Sequence, residues 1–250
     1  MDEVKFKYIL QQADNCLILG QRLAEWCGHG PILEQDIAMT NISLDLIGQA
    51  RMLYQYAAEV QGENKTEDDL AYLRDSWDYK NVLLVEQPNG DFAKTILRQF
   101  FFDTYNILFY EGLMNSNDER LRAIAEKSHK EELYHVKWSS DWVVRLGDGT
   151  EESNTRINKA LSELWPYVGE LTTSNEIEIS ALENGFGVDL EKIKVKRDQK
   201  IVTVLEEATL EVPKDGFSHQ GGKEGRHTEH LGYILSDLQY LQRAYPGNEW

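Results

Sequence analysis

The sequence predicts an all-α chain built as a helix bundle, and three observations carry that reading. Apolar residues recur at helical spacing over several long runs. Nothing alternates with period two for more than a few residues. Turn and cap signals fall between the runs rather than inside them. No internal repeat of fixed length is evident. The chain reads as one domain, with core helices at about 4–27, 31–60, 91–115 and 118–147 and a C-terminal elaboration over 150–250.

The first run carries Tyr8, Leu10, Leu17, Leu19, Leu23 and Trp26, and Gly28-His29-Gly30-Pro31 breaks it. The second starts at Pro31, with Glu34 and Asp36 in its first turn, where the helix dipole favours acids. Ile37, Leu44, Ile47 and Leu53 make its apolar stripe, while Asn41, Asp45 and Gln49 form a polar line able to aim a carboxylate into a bundle interior. Thr66 with Asp69 resembles a capping box for a short helix ending near Ser76. Gln87-Pro88-Asn89-Gly90-Asp91 is a turn, and Asp91 is an N-cap for the third long helix, apolar on most sides and therefore central. A fourth helix runs from Asp118 to Leu146, and Thr150 caps a fifth that reaches about Leu171. Residues 172–216 are less regular, with a helix at 189–208. A Gly-rich loop covers 218–226, and a last helix spans 227–243. The runs 4–60 and 91–147 read as two helix hairpins.

The 250 residues, 41% of them hydrophobic, suffice for a sizeable core. A net charge of −17 argues against nucleic acid and anionic membranes as partners, since both demand basic surface. No apolar run of about 18 residues exists to span a membrane, and the N-terminus lacks a signal-peptide core. Cys16 and Cys27 on one helix would stand ~16 Å apart at a rise of ~1.5 Å per residue, too far for a disulfide. Free thiols fit a reducing cytoplasm.

A di-iron carboxylate centre in a bundle takes a Glu from each of two helices and a Glu-x-x-His from each of the other two. Glu132-x-x-His135 on the fourth helix has that form. Glu126-x-x-His129 lies six residues earlier, ~600° away at ~100° per residue, and points elsewhere. Glu224-x-x-His227 sits in the Gly-rich loop, where helical spacing has no meaning. The second helix offers Asp45 followed by Gly48, and glycine cannot ligate. The residues therefore point to a polar cluster without metal and without a catalytic residue: Asp14, Asp45, Asp103, Glu131, Glu132 and His135. Hydrogen bonds hold it, with a cation such as Lys127 or Lys130, or protons, to offset the carboxylate charge. His227 and His230 are a pair too few for a metal site and are expected to cap the last helix. No nucleophile motif, phosphate loop or dinucleotide fingerprint is present.

Several blocks are more specific. They are Asp14-Asn15-Cys16, Glu25 to His29, Asn41-Ile42, Leu44-Asp45-Leu46 and Gly48 to Arg51, then Asn81 to Gly90, Lys130-Glu131 with Tyr134-His135, and Arg145 to Thr150. Gly221-Gly222-Lys223, His227 to Gly232 and Tyr240 to Arg243 complete them. In this order, from Tyr8 to Trp250, they resemble the PaaC family, structural subunits of the phenylacetyl-CoA epoxidase of bacterial phenylacetate degradation. The resemblance implies a ferritin-like four-helix bundle with additional C-terminal helices. It implies pairing with a related catalytic subunit, PaaA, which carries the di-iron centre and binds phenylacetyl-CoA. A reductase subunit feeds the complex electrons, and the product is a ring 1,2-epoxide. This chain would then lack a cofactor of its own. The glutamate matching the family pattern is Glu131; Glu132 adds a second acid beside it. The assembly could extend to a higher hetero-oligomer; the competing readings are an independent ferritin-like di-iron oxygenase or oxidase and a homodimeric scaffold.

Overall fold

The computed structural model describes residues 2–62, 64–214 and 216–248; Met1, Glu63, Asp215, Glu249 and Trp250, the last being where the resemblance ends, lie outside it. Among the described residues there are ten α-helices and no strand, so the all-α class holds. In order they are α1 (Asp2–Ala24), α2 (Leu33–Gln61), α3 (Glu67–Tyr72), α4 (Phe92–Leu113), α5 (Glu119–Gly147), α6 (Glu151–Val168), α7 (Glu176–Glu183), α8 (Leu190–Glu207), α9 (Glu229–Leu238) and α10 (Tyr240–Ala244). They gather into two compact units, Met1–Pro88 with Gly221–Trp250, and Asn89–Gln220.

The first unit is centred on the α1–α2 hairpin, with α3 packed on α2 and α9 on α1. Gly20 permits the close approach of α1 and α2: a Cβ there would lie 3.0 Å from Ile47 Cγ1, and Ser43 Oγ donates to the Gly20 carbonyl at 2.8 Å. Helix α1 stops at Ala24 rather than Cys27. The amides of Trp26 and Cys27 reach back only three residues, to the carbonyls of Leu23 and Ala24, and so tighten the last turn. In the linker, the backbone N–H groups of Gly30 and Gly28 donate to the Asp36 carboxylate and hold it below the usual carboxylate range. Asp36 thus clamps the turn as well as favouring the helix start.

The apolar stripe expected on α2 is not its core face. Ile37 and Leu44 are 51% and 62% exposed, and the buried apolar side is Met39, Ile42, Leu46 and Leu53. Ile37 and Leu44 are seven residues apart and share a face, whereas Leu53, nine beyond Leu44, lies about 180° round at ~100° per residue. A spacing of four drifts by about 40° for the same reason. The polar line therefore runs from exposed Asn41 through half-buried Asp45 to buried Gln49.

In the second unit α4 is central, and α5, α6 and α8 pack on it. Ile96, Leu97, Phe100, Phe101 and Phe102 are all fully buried, as an all-round apolar helix requires. The expected caps form, Asp91 accepting from the Lys94 amide and Thr150 from Ser153, and Asp118 caps α5 in the same way by accepting from Leu121. Helix α7 falls in the stretch read as irregular. Its start was nonetheless marked in the sequence, because Asn175 and Glu178 form a reciprocal capping box. The α5 end packs against the α8 end so tightly that a Cβ at Gly147 would sit 2.2 Å from the Ala208 carbonyl.

The helix expected over 227–243 is two helices, α9 and α10. The Gln239 side chain at the joint donates to the Arg74 carbonyl at 3.0 Å and to Tyr79 Oη at 3.1 Å. No helix among the described residues is long and apolar enough to cross a membrane.

Candidate functional site

Helices α4 and α5 are antiparallel neighbours joined by a short turn, and each turns a polar stripe toward the other. On α4 the stripe is Gln99, Asp103 and Asn106; on α5 it is Ser128, Glu132, His135 and Ser139. The spacings of three and four keep each set on one helix face. Every member is at least 98% buried. Asp103, Glu132 and His135 each bring a ligand-capable atom within 4.8 Å of the others, and they are the one such group among the described residues.

Protein hydrogen bonds reach both Asp103 oxygens and Glu132 Oε1. Gln99 Nε2 donates to Asp103 Oδ1 at 2.6 Å, and Ser139 Oγ to Asp103 Oδ2 at 2.7 Å. Asn106 Nδ2 donates to Glu132 Oε1 at 2.9 Å, and His135 Nδ1 lies 3.2 Å from the same oxygen. Burial, then the neighbouring Glu132 carboxylate, push the Asp103 pKa up to about 7, against the pull of His135, Ser139 and Gln99. Lys127 and Lys130, the cations expected beside it, are both exposed.

The other predicted members are not part of this trio. Glu131 is half-buried, one residue round the helix from Glu132, so Glu132 is the acid that α5 turns inward. Asp45 is half-buried on α2, in the first unit. Asp14, also in the first unit, is fully buried with partners of its own. Tyr54 Oη donates to it at 2.6 Å, the Lys80 amide at 2.8 Å, and Arg74 grips both its oxygens through Nη1 and Nη2. The Arg74 guanidinium also lies 4.1 Å from the Tyr79 ring centroid. Burial works against the charge on Arg74, but Asp14 and its neighbours outweigh it, so the guanidinium holds its proton more tightly than usual. Burial, then Asp14, raise the Tyr54 pKa. Sequence reasoning missed Arg74. It follows α3 in an irregular polar stretch, sixty residues from its partner, and no periodicity connects the two.

His227 also departs from expectation. Its Nδ1 lies 3.0 Å from Glu86 Oε2 and its Nε2 2.9 Å from the Tyr79 carbonyl. The group bonded at the α9 start is Glu86, whose Oε1 accepts from the Thr228 amide at 2.7 Å. Glu86 also accepts from Asn81 Nδ2 at 3.1 Å, and its backbone carbonyl from Arg22 at 2.8 Å. Fully buried, it ties three separate stretches of the first unit together.

The donor set does not fit a di-iron centre. Such a centre takes two Glu-x-x-His pairs and two further acids. Here α5 supplies one pair and α4 an aspartate, and α2 has Gly48, where a Cβ would meet nothing within 4 Å.

A family model described as phenylacetic acid catabolic protein, covering PaaA and PaaC, matches residues 1–250. The chain belongs to this family. The helical architecture agrees with the family's ferritin-like bundle. Among curated relatives, the C component of the 1,2-phenylacetyl-CoA epoxidase of Escherichia coli (strain K12) is 47% identical over 243 residues, which cover 97% of this chain and 98% of the relative.

Proposed function

We propose that this chain is the non-catalytic structural subunit of a phenylacetyl-CoA epoxidase in aerobic phenylacetate catabolism, paired with a PaaA-type subunit that holds the di-iron centre. The observation that carries this is the α4–α5 cluster. It keeps a carboxylate–histidine grouping but spends both Asp103 oxygens on Gln99 and Ser139, and Glu132 Oε1 on Asn106. Identity to the C component of an epoxidase along nearly its whole length supports the same reading. The chain then works without a metal of its own, in the cytoplasm, and meets the reductase only through the assembled complex. Its contribution is mechanical: a second helical face holds the active-site helices of the catalytic subunit in register, which a preorganised centre requires. An obligate contact of this kind buries ~2,000 Å² or more.

The competing reading, an independent di-iron enzyme, draws on the Asp103–Glu132–His135 grouping. Metal analysis with activity assays separates the two. Expected are iron and epoxidation of phenylacetyl-CoA only when the catalytic subunit is present, and little activity from that subunit alone. Two tightly held irons in this chain, lost on Glu132→Ala, would establish the competing reading. Full activity from the catalytic subunit alone would end the proposed one.

A further inference from the structure

The second unit carries a cleft of about 470 Å³, lined by the end of α6, one face of α8 and the segment that follows α8. Trp165 lines it from α6 and is held edge-on against Phe101 in the core, at a centroid distance of 6.0 Å. On α8, Lys194, Asp198 and Ile201 recur at spacings of four and three, so one helix face presents all three to the cleft. Phe217 lines it from the return segment. It is 76% exposed and stands edge-on to His219 at 4.8 Å, and His219 in turn stacks on Tyr167 at 4.5 Å. The His219 amide donates to the Pro166 carbonyl at 2.8 Å, which pins this segment to the end of α6.

The polar groups of the lining fall into two sets. Arg197 is buried and engaged: its Nε and Nη2 donate to Asp198 at 2.9 and 2.6 Å, and its Nη1 donates to the Val168 carbonyl at 3.0 Å. The charge of Asp198, the acid in the lining, is thereby met. Lys194 and Lys214 line the same cleft, and neither has an ion-pair or hydrogen-bond partner among the described residues. Ser218 Oγ is buried and unbonded there as well, packed so close to Gly169 that a Cβ on that glycine would come within 2.6 Å of it. Two uncommitted ammonium groups and an uncommitted hydroxyl thus line an apolar cleft in a chain of net charge −17. Apolar walls with a few placed polar groups, in roughly 300–1,000 Å³, are the make-up of small-molecule sites.

Complementarity names the ligand class. Trp165 and Phe217 match a flat apolar body, and the lysines match a carboxylate held by charge-assisted hydrogen bonds. A polyphosphate would meet the lysines but leave Trp165, Val202 and Phe217 uncovered. We propose that this cleft binds a small aromatic carboxylate, its ring against Trp165 and Phe217 and its carboxylate on Lys194 and Lys214, with Ser218 donating a further hydrogen bond. The site lies within the second unit and draws no residue from the Asp103–Glu132–His135 cluster. It stands whether or not the chain is an epoxidase subunit.

The probe is 3-phenylpropionate, titrated into the full chain by calorimetry and by ligand-observed NMR, with its neutral amide as control. Saturable binding of the acid is expected, about tenfold tighter than that of the amide. Lys194→Gln combined with Lys214→Gln should weaken acid binding by about tenfold and leave the amide unchanged; both lysines are exposed, so melting should not move. Phe217→Ala should weaken acid and amide alike, by about threefold or more. Raised salt should narrow the gap between acid and amide. A wild-type chain without saturable binding overturns the assignment. So does an amide that binds as tightly as the acid, or acid binding that survives the lysine and Phe217 substitutions unchanged.

Discussion

Asp14 and Asp103 are both fully buried carboxylates, and their burial is offset in different ways. Asp14 faces the Arg74 guanidinium, and burial raises the Asp103 pKa so that its neutral form is favoured. Removing one member of a buried pair leaves the other desolvated and alone, so Arg74→Met should cost about 3–5 kcal/mol in denaturant unfolding. Adding Asp14→Asn to that background should recover part of the loss; a double-variant loss equal to the sum of the two single losses would show that the pair is not coupled. Asp103 behaves differently because its native pKa, about 7, lies above its ordinary value of 3.8. Between these values the folded chain binds a proton that the unfolded chain has released. Stability from this group is therefore full at low pH and falls as pH rises toward and past 7. Asp103→Asn keeps an acceptor for Gln99, and Ser139 Oγ can turn to accept from the new amide. This variant should lose less stability than wild type between pH 5 and pH 8, measured from denaturation midpoints. An unchanged pH slope would place the native proton elsewhere.

At the scale of elements, what could be read from sequence divides by the range of the forces involved. Caps are local, and Asp91, Asp118, Thr66 and Thr150 all stand where their spacing to a following amide puts them. The all-round apolar character of α4 placed it correctly at a core. The facing of α2 was not legible, because its exposed Ile37 and Leu44 are as apolar as the residues beneath, and only the packing of α1 decides between the two sides. The polar trio was half visible. Glu132 and His135 share a helix, but the choice of Glu132 over Glu131 depends on where α4 lies. Gly48 connects this to a measurement. It is a helix-interior glycine with open space where a Cβ would go, so Gly48→Ala should raise stability by about 0.5–1 kcal/mol.

For the whole molecule, the numbers bound function more than they describe it. A net charge of −17 argues against nucleic acid as a natural partner, yet α2 leaves Leu33, Ile37 and Leu44 in water on one face. Single exposed apolar residues are ordinary, but clusters of large ones mark places where another surface belongs. The long-range pairs that hold the first unit, Arg74 with Asp14 and His227 with Glu86, join segments far apart in sequence and stay inside one unit. A partner that binds only the folded chain adds to that stability by mass action, ~2.7 kcal/mol at a free concentration one hundred times its Kd. The catalytic subunit should therefore raise the denaturation midpoint of this chain in proportion to the logarithm of its concentration, and phenylacetyl-CoA alone should not. Isotopic or fluorescent labelling of this chain alone lets its unfolding be followed in the mixture. A midpoint indifferent to the catalytic subunit would remove the partnership, and one moved by the thioester without it would assign the chain a substrate.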